Sequence, residues 1–91
     1  MTTFEELKKE LLTDPEVKKE YDALALEYQI AHALILARTE AKMTQSEVAA
    51  KMHTTQSVIA RLEGGKHLPT LQTIYKYATA TNQPINLHLC P

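Results

Sequence analysis

Four residues in the middle of the chain are of types that can read the edge of a base pair. On a helical wheel at about 100° per residue, Gln56, Ser57, Ala60 and Arg61 gather on one side, with Val58, Ile59 and Leu62 on the other. A helix with one packed face and one free polar face fits the major groove of B-DNA. There an Arg donates two hydrogen bonds to guanine, a Gln pairs with adenine, and a methyl group touches thymine. Gln45, Thr54, Thr55 and Lys66 surround this set at helix starts and in loops. Their hydroxyls, backbone N–H groups and ammonium suit phosphates, which fix register without specifying sequence. The expected chemistry is recognition of double-stranded operator DNA.

Other chemistries find little support. His32, His53, His67 and His88 lack the spacing of metal ligands, and no Cys or Asp cluster completes a site, so neither metal nor cofactor is expected. Ser57 and His53 have no third member to make a nucleophile and base work together. Adjacent acids such as Glu5 and Glu6 read as solvated charge, and no enzymatic activity is expected. The single cysteine, Cys90, excludes an intrachain disulfide and reads as an incidental thiol. With no signal-peptide pattern and no bilayer-length apolar run, the expected setting is a reducing cytoplasm.

The elements that must position the central residues are marked by caps. Thr3 and Glu6 have capping-box spacing, followed by Phe4, Leu7, Leu11 and Leu12 on one helical face. Asp14 before Pro15 opens a second helix, in which Val17, Tyr21, Leu24, Tyr28, Ala31 and Ile35 recur in steps of three and four. That spacing allows one helix to about Lys42, and a break at Ala25 to Glu27 is equally compatible with it. From Ile30 to Ala37 only His32 is polar, so this stretch requires cover on more than one side. Thr44 and Glu47 form another capping box, and Val48, Ala49 and Met52 follow at inward positions. Small Ala49 permits close approach of the next helix, which Thr55 caps and Gly64 and Gly65 stop. Pro69 and Thr70 begin a last helix with Leu71, Ile74, Tyr75 and Ala78 at core spacing. Ile85, Leu87 and Leu89 then alternate with Asn86 and His88, the pattern of a half-buried strand. A strand with no partner in its own chain is unstable, which predicts pairing with its copy in a homodimer.

Ninety-one residues make one domain with room for an appendage. A hydrophobic fraction of 44% with two glycines and 5% aromatics supports a modest helical core. The net charge of −1 hides an uneven distribution, because residues 1–28 carry four lysines against eight carboxylates. Residues 29–91 carry six Lys and Arg against three carboxylates. An acidic front on a basic body predicts two surfaces with different partners, since local field steers a polyanion more than net charge does.

The run TQSEVAAKMHTTQSVIARLEGGK, residues 44–66, resembles the DNA-binding domains of the lambdoid phage repressor and Cro family, the XRE type. The likeness spans roughly Ile30 to Thr81. It implies a buried ion pair between Arg38 and Glu63, and contact with DNA by Gln45, Gln56, Ser57, Arg61 and Lys66. Lys42 and His53 stand where that family commonly has glycine at positive φ, which carries a small strain cost.

The opening TFEELKKELLTDPEVKKEYDAL and the closing INLHLCP, on either side of such a domain, resemble antitoxins of the HigA-like type. That likeness implies that the front segment binds a small basic ribonuclease toxin of the RelE/HigB kind and that the dimer represses a shared operon. An acidic amphipathic segment carrying Phe4, Leu7, Leu11, Leu12, Val17, Tyr21 and Leu24 suits a groove on a basic partner. The same side chains could instead cap the apolar stretch at 30–37 of a plain XRE-family regulator with no toxin partner. The expected fold is all-α: a five-helix bundle-like repressor domain with an N-terminal helical extension and a short C-terminal strand pairing across a dimer. Its segments are 1–27 for the extension, 28–82 for the DNA-binding domain and 83–91 for the dimerisation strand.

Overall fold

A computed structural model of the chain describes residues 3–11 and 13–89. The side chains of Phe4, Lys8 and Leu11, all of Leu12 and Cys90 lie outside the described residues, and with them the partner-binding roles expected of Phe4, Leu11 and Leu12. The described residues form five helices: α1 (Phe4–Leu11), α2 (Pro15–Glu40), α3 (Gln45–Lys51), α4 (Gln56–Leu62) and α5 (Leu71–Thr81).

Each start is set by a side chain that takes up free backbone N–H groups. Thr3 Oγ1 accepts from Glu6 N at 3.1 Å, and Asp14 Oδ1 accepts from Glu16 N at 3.0 Å with Pro15 in the first turn. Thr44 and Glu47 make a full capping box, with both bonds at 3.1 Å. Thr55 and Thr70 cap α4 and α5. No Gly or Pro interrupts residues 16–40, and α2 runs unbroken through Ala25 to Glu27.

Three helix ends share one geometry. Met43 N reaches Arg38 O at 3.1 Å, Thr54 N reaches Ala49 O at 2.9 Å, and Gln83 N reaches Ala78 O at 2.9 Å. Each closure requires a left-handed residue just before it, and these are Lys42 (φ 57), His53 (φ 56) and Asn82 (φ 56). Asn tolerates that region, whereas Lys and His carry a Cβ penalty. Relief of strain, less the added freedom of an unfolded glycine, makes Lys42→Gly and His53→Gly each stabilising by about 0.5–1 kcal/mol. Urea unfolding measures this, and an unchanged midpoint in both variants would show that these turns are unstrained.

The core joins α2 to the three helices that follow. Leu34, Val48, Ala49, Ile59, Leu62, Tyr77 and Ala80 are buried together. Ala49, as its size suggests, lies where α3 and α4 pack. At the end of α4, buried Gly65 (φ 70) brings the chain against α2, and a Cβ there would lie 3.5 Å from the Tyr28 ring.

Three expectations are corrected. On α5 the buried face is Tyr77, Ala80 and Thr81; of the four residues expected at core spacing, Ile74 and Ala78 are half-buried, whereas Leu71 is 67% exposed and Tyr75 66%. The inward positions are filled by residues whose polar atoms find partners, as when Thr81 Oγ1 donates to Tyr77 O at 2.9 Å. The stretch at 30–37 buries only Ala31 and Leu34 and leaves Leu36 exposed, because a single chain covers one stripe of that helix. Residues 83–89 form no strand, and Ile85, Leu87 and Leu89 are exposed, since no second strand in the chain offers them a ladder.

Candidate nucleic-acid interface

α3, the turn at 52–55 and α4 form the helix-turn-helix. Val48, Ala49, Ile59 and Leu62 turn inward and lock the two helices together. Burial of Ile59 and Leu62 forces the opposite face of α4 outward, where Gln56, Ser57, Ala60 and Arg61 are all exposed. Thr55 stands exposed at the N-cap of α4, Thr54 is half-buried in the turn, and Lys66 is exposed in the loop after the helix. Gln45 occupies the first position of α3 and is half-buried.

Behind this face lies a hydrogen-bonded network centred on Glu63, the C-cap residue of α4. Arg38 from α2 grips its carboxylate through Nε (2.9 Å to Oε2) and Nη2 (3.0 Å to Oε1), while Nη1 donates to Met43 O at 3.1 Å. The Tyr77 hydroxyl lies 2.7 Å from Glu63 Oε2 and 2.8 Å from Leu34 O, and its single proton serves both acceptors. Gln45 Nε2 donates to Glu63 Oε1 at 3.2 Å, and Gln56 Nε2 donates to Gln45 Oε1 at 2.8 Å. The Glu63 side chain is 4% exposed and that of Arg38 21%. Among the described residues no buried side-chain N or O lacks a partner.

The network sets the protonation of its members. Burial works to raise the Glu63 carboxyl, but hydrogen bonds from Arg38, Tyr77 and Gln45 outweigh it and hold the group below the ordinary glutamate range. The Glu63 hydrogen bond keeps Arg38 firmly charged. Burial, then the carboxylate next to it, pushes the Tyr77 phenol up, so it remains a donor.

The residues expected at a DNA surface thus divide between an outward group on α4 and a half-buried Gln45 tied to the core. The Gln56–Gln45 bond uses one N–H of the Gln56 amide, so its carbonyl and second N–H still match the edge of an adenine. Sequence reasoning missed Tyr77 and the inward bond of Gln45. Their contacts span 14 and 18 residues, and the only signal for Tyr77 was a tyrosine three residues after Ile74, at a spacing that returns it to the same side of the helix.

An all-helical domain that presents the polar face of a short second helix in this way belongs to the class of DNA-binding helix-turn-helix proteins. The helix-turn-helix family model matches residues 34–87, more than half of the chain. The chain belongs to that family, in its XRE-type form, and is a DNA-binding transcriptional regulator. Searches of curated proteins and of solved structures returned no match. No helix among the described residues is long and apolar enough to cross a membrane.

Proposed function

We propose that the chain is an antitoxin-type repressor: a homodimer that reads operator DNA through Gln56, Ser57, Ala60 and Arg61 and holds a small basic ribonuclease toxin on its acidic front segment. It has no catalytic role of its own. The observation that carries this reading is the front of α2, where every residue from Lys18 to Leu26 is exposed in the single chain. The stretch includes Leu24 and Leu26 beside Glu20 and Asp22, and Leu7 of α1 is exposed as well. Apolar side chains left open among carboxylates suit a partner with an apolar groove rimmed by cations.

The test is coexpression with small basic ribonucleases of the RelE/HigB kind, including any encoded beside this chain in its host. A Leu7→Asp, Leu24→Asp pair, remote from α3 and α4, is expected to abolish capture and neutralisation while operator binding persists. Neutralisation that survives both changes would sink the toxin-binding role and leave the plain regulator.

A homodimer is proposed because one helix-turn-helix reads only a few base pairs, and two-fold partners engage half-sites about 34 Å apart. The exposed Ile85, Leu87 and Leu89, with backbone groups that lack a ladder, support the C-terminal segment as the joint. Leu87→Asp is expected to sediment as a monomer. A variant that stays dimeric would place the interface elsewhere.

A further inference from the structure

The hydroxyl of Tyr77 is linked to Gln56 on the exposed face of α4 through Glu63 and Gln45. Glu63 offers two oxygens to four donor groups. Oε2 takes Arg38 Nε and Tyr77 Oη, and Oε1 takes Arg38 Nη2 and Gln45 Nε2. Arg38 and Tyr77 hold the carboxylate from two different helices, which fixes its rotation. That rotation decides where Oε1 meets Gln45, and Gln45 in turn presents its own oxygen to Gln56 Nε2 at 2.8 Å. Tyr77 is wholly buried on α5 and touches no solvent, so any effect on DNA must pass through these neighbours.

We propose that Tyr77 is a positioning residue for DNA reading: its hydroxyl orients the Glu63 carboxylate, which holds the Gln45 amide, which aims the Gln56 amide into the groove. The inference rests on the assignment of Gln56 to base contact made above. Tyr77→Phe removes the hydroxyl and keeps the ring. Without its phenol donor, Oε2 is free to swing fully onto the guanidinium, and Oε1 moves off Gln45. Gln56 then enters the groove with a mobile amide, which weakens discrimination more than general affinity.

The probe is a duplex selected from a random pool by the wild-type protein, with a scrambled duplex as control. Tyr77→Phe is expected to lower affinity for the selected duplex about five- to tenfold, the effect of one hydrogen bond, and to leave the scrambled duplex unaffected. In a Gln56→Ala background the same change should cost nothing further, because the two act along one path. An additive loss in the double variant, or an equal loss on both duplexes, marks a purely structural tyrosine and overturns the proposal. If Gln56→Ala alone leaves the preference intact, the base-contact assignment falls and this inference with it, a failure recognisable without any Tyr77 variant. Should Tyr77→Phe not fold, the wild-type protein still decides. By reciprocity, the buried Tyr77 hydroxyl proton is expected to shift in NMR spectra on adding the selected duplex and not the scrambled one, and an unmoved resonance refutes the coupling.

Discussion

Arg38→Leu is expected to lower the unfolding free energy by about 3–5 kcal/mol at neutral pH, the cost of leaving a buried carboxylate without its cation. Glu63 would retain only Tyr77 and Gln45 as donors, and Met43 O would lose the Arg38 Nη1 bond. The pH dependence gives the effect a signature. In the wild type the folded pKa of Glu63 lies below its ordinary 4.5, so the pair contributes stability above that value and loses it as pH falls through the folded pKa. In Arg38→Leu, burial still raises the Glu63 carboxyl and only the Tyr77 and Gln45 hydrogen bonds oppose it, so the folded pKa moves up from its wild-type position. The deficit is then full at neutral pH and shrinks as the solution is acidified through that raised value. Urea titrations of both proteins between neutral pH and about pH 4 measure it. A deficit below about 1 kcal/mol at neutral pH would mean that water reaches Glu63 and that the pair behaves as a surface one.

Arg61→Ala is expected to cost about 1–3 kcal/mol of operator affinity per half-site, the discrimination of one bidentate base contact. A scrambled duplex should be bound almost as before. Arg61 lies one turn after Ser57 on the exposed face of α4, and the burial of Leu62 beside it leaves that face only one way to point. Lys66→Ala supplies the contrast, because a phosphate contact weakens every duplex alike and flattens the dependence of affinity on salt by about one charge. Gel shifts on both duplexes over a range of salt separate the two behaviours. If Arg61→Ala weakened both equally, Arg61 would be a phosphate ligand and base reading would fall to Gln56 and Ser57.

The two short helices were legible because their signals are local. Thr44 with Glu47 and Thr55 before Gln56 mark starts within a single turn, and Val48, Ile59 and Leu62 are apolar where they are buried. The positive φ of Lys42 and His53 was readable only through the family pattern, since neither residue type announces it. The inner face of α5 misled because periodicity counts apolar atoms. Tyr77 and Thr81 are buried by satisfying their polar ones, while Leu71 and Tyr75 carry apolar surface that the single chain leaves open. The alternation at 85–89 misled because a strand needs a neighbour, which local sequence cannot supply, and in the single chain Asn86 and His88 are exposed alongside Ile85, Leu87 and Leu89. The continuity of α2 lay between these cases: nothing in the sequence breaks it, and nothing demands it.

That continuity gives the molecule two clocks. The exposed stretch of α2, Lys18–Leu26, has helical hydrogen bonds but no buried face of its own. A helix of that length is marginal without packing, so its amides exchange with solvent by local fraying while those of α3 and α4 wait for global opening. A protease therefore meets the front of the chain in a cleavable form far more often than the groove-facing half. A bound partner that covers this stretch slows only the faster clock, and the survival of the front segment becomes a readout of how much partner is present.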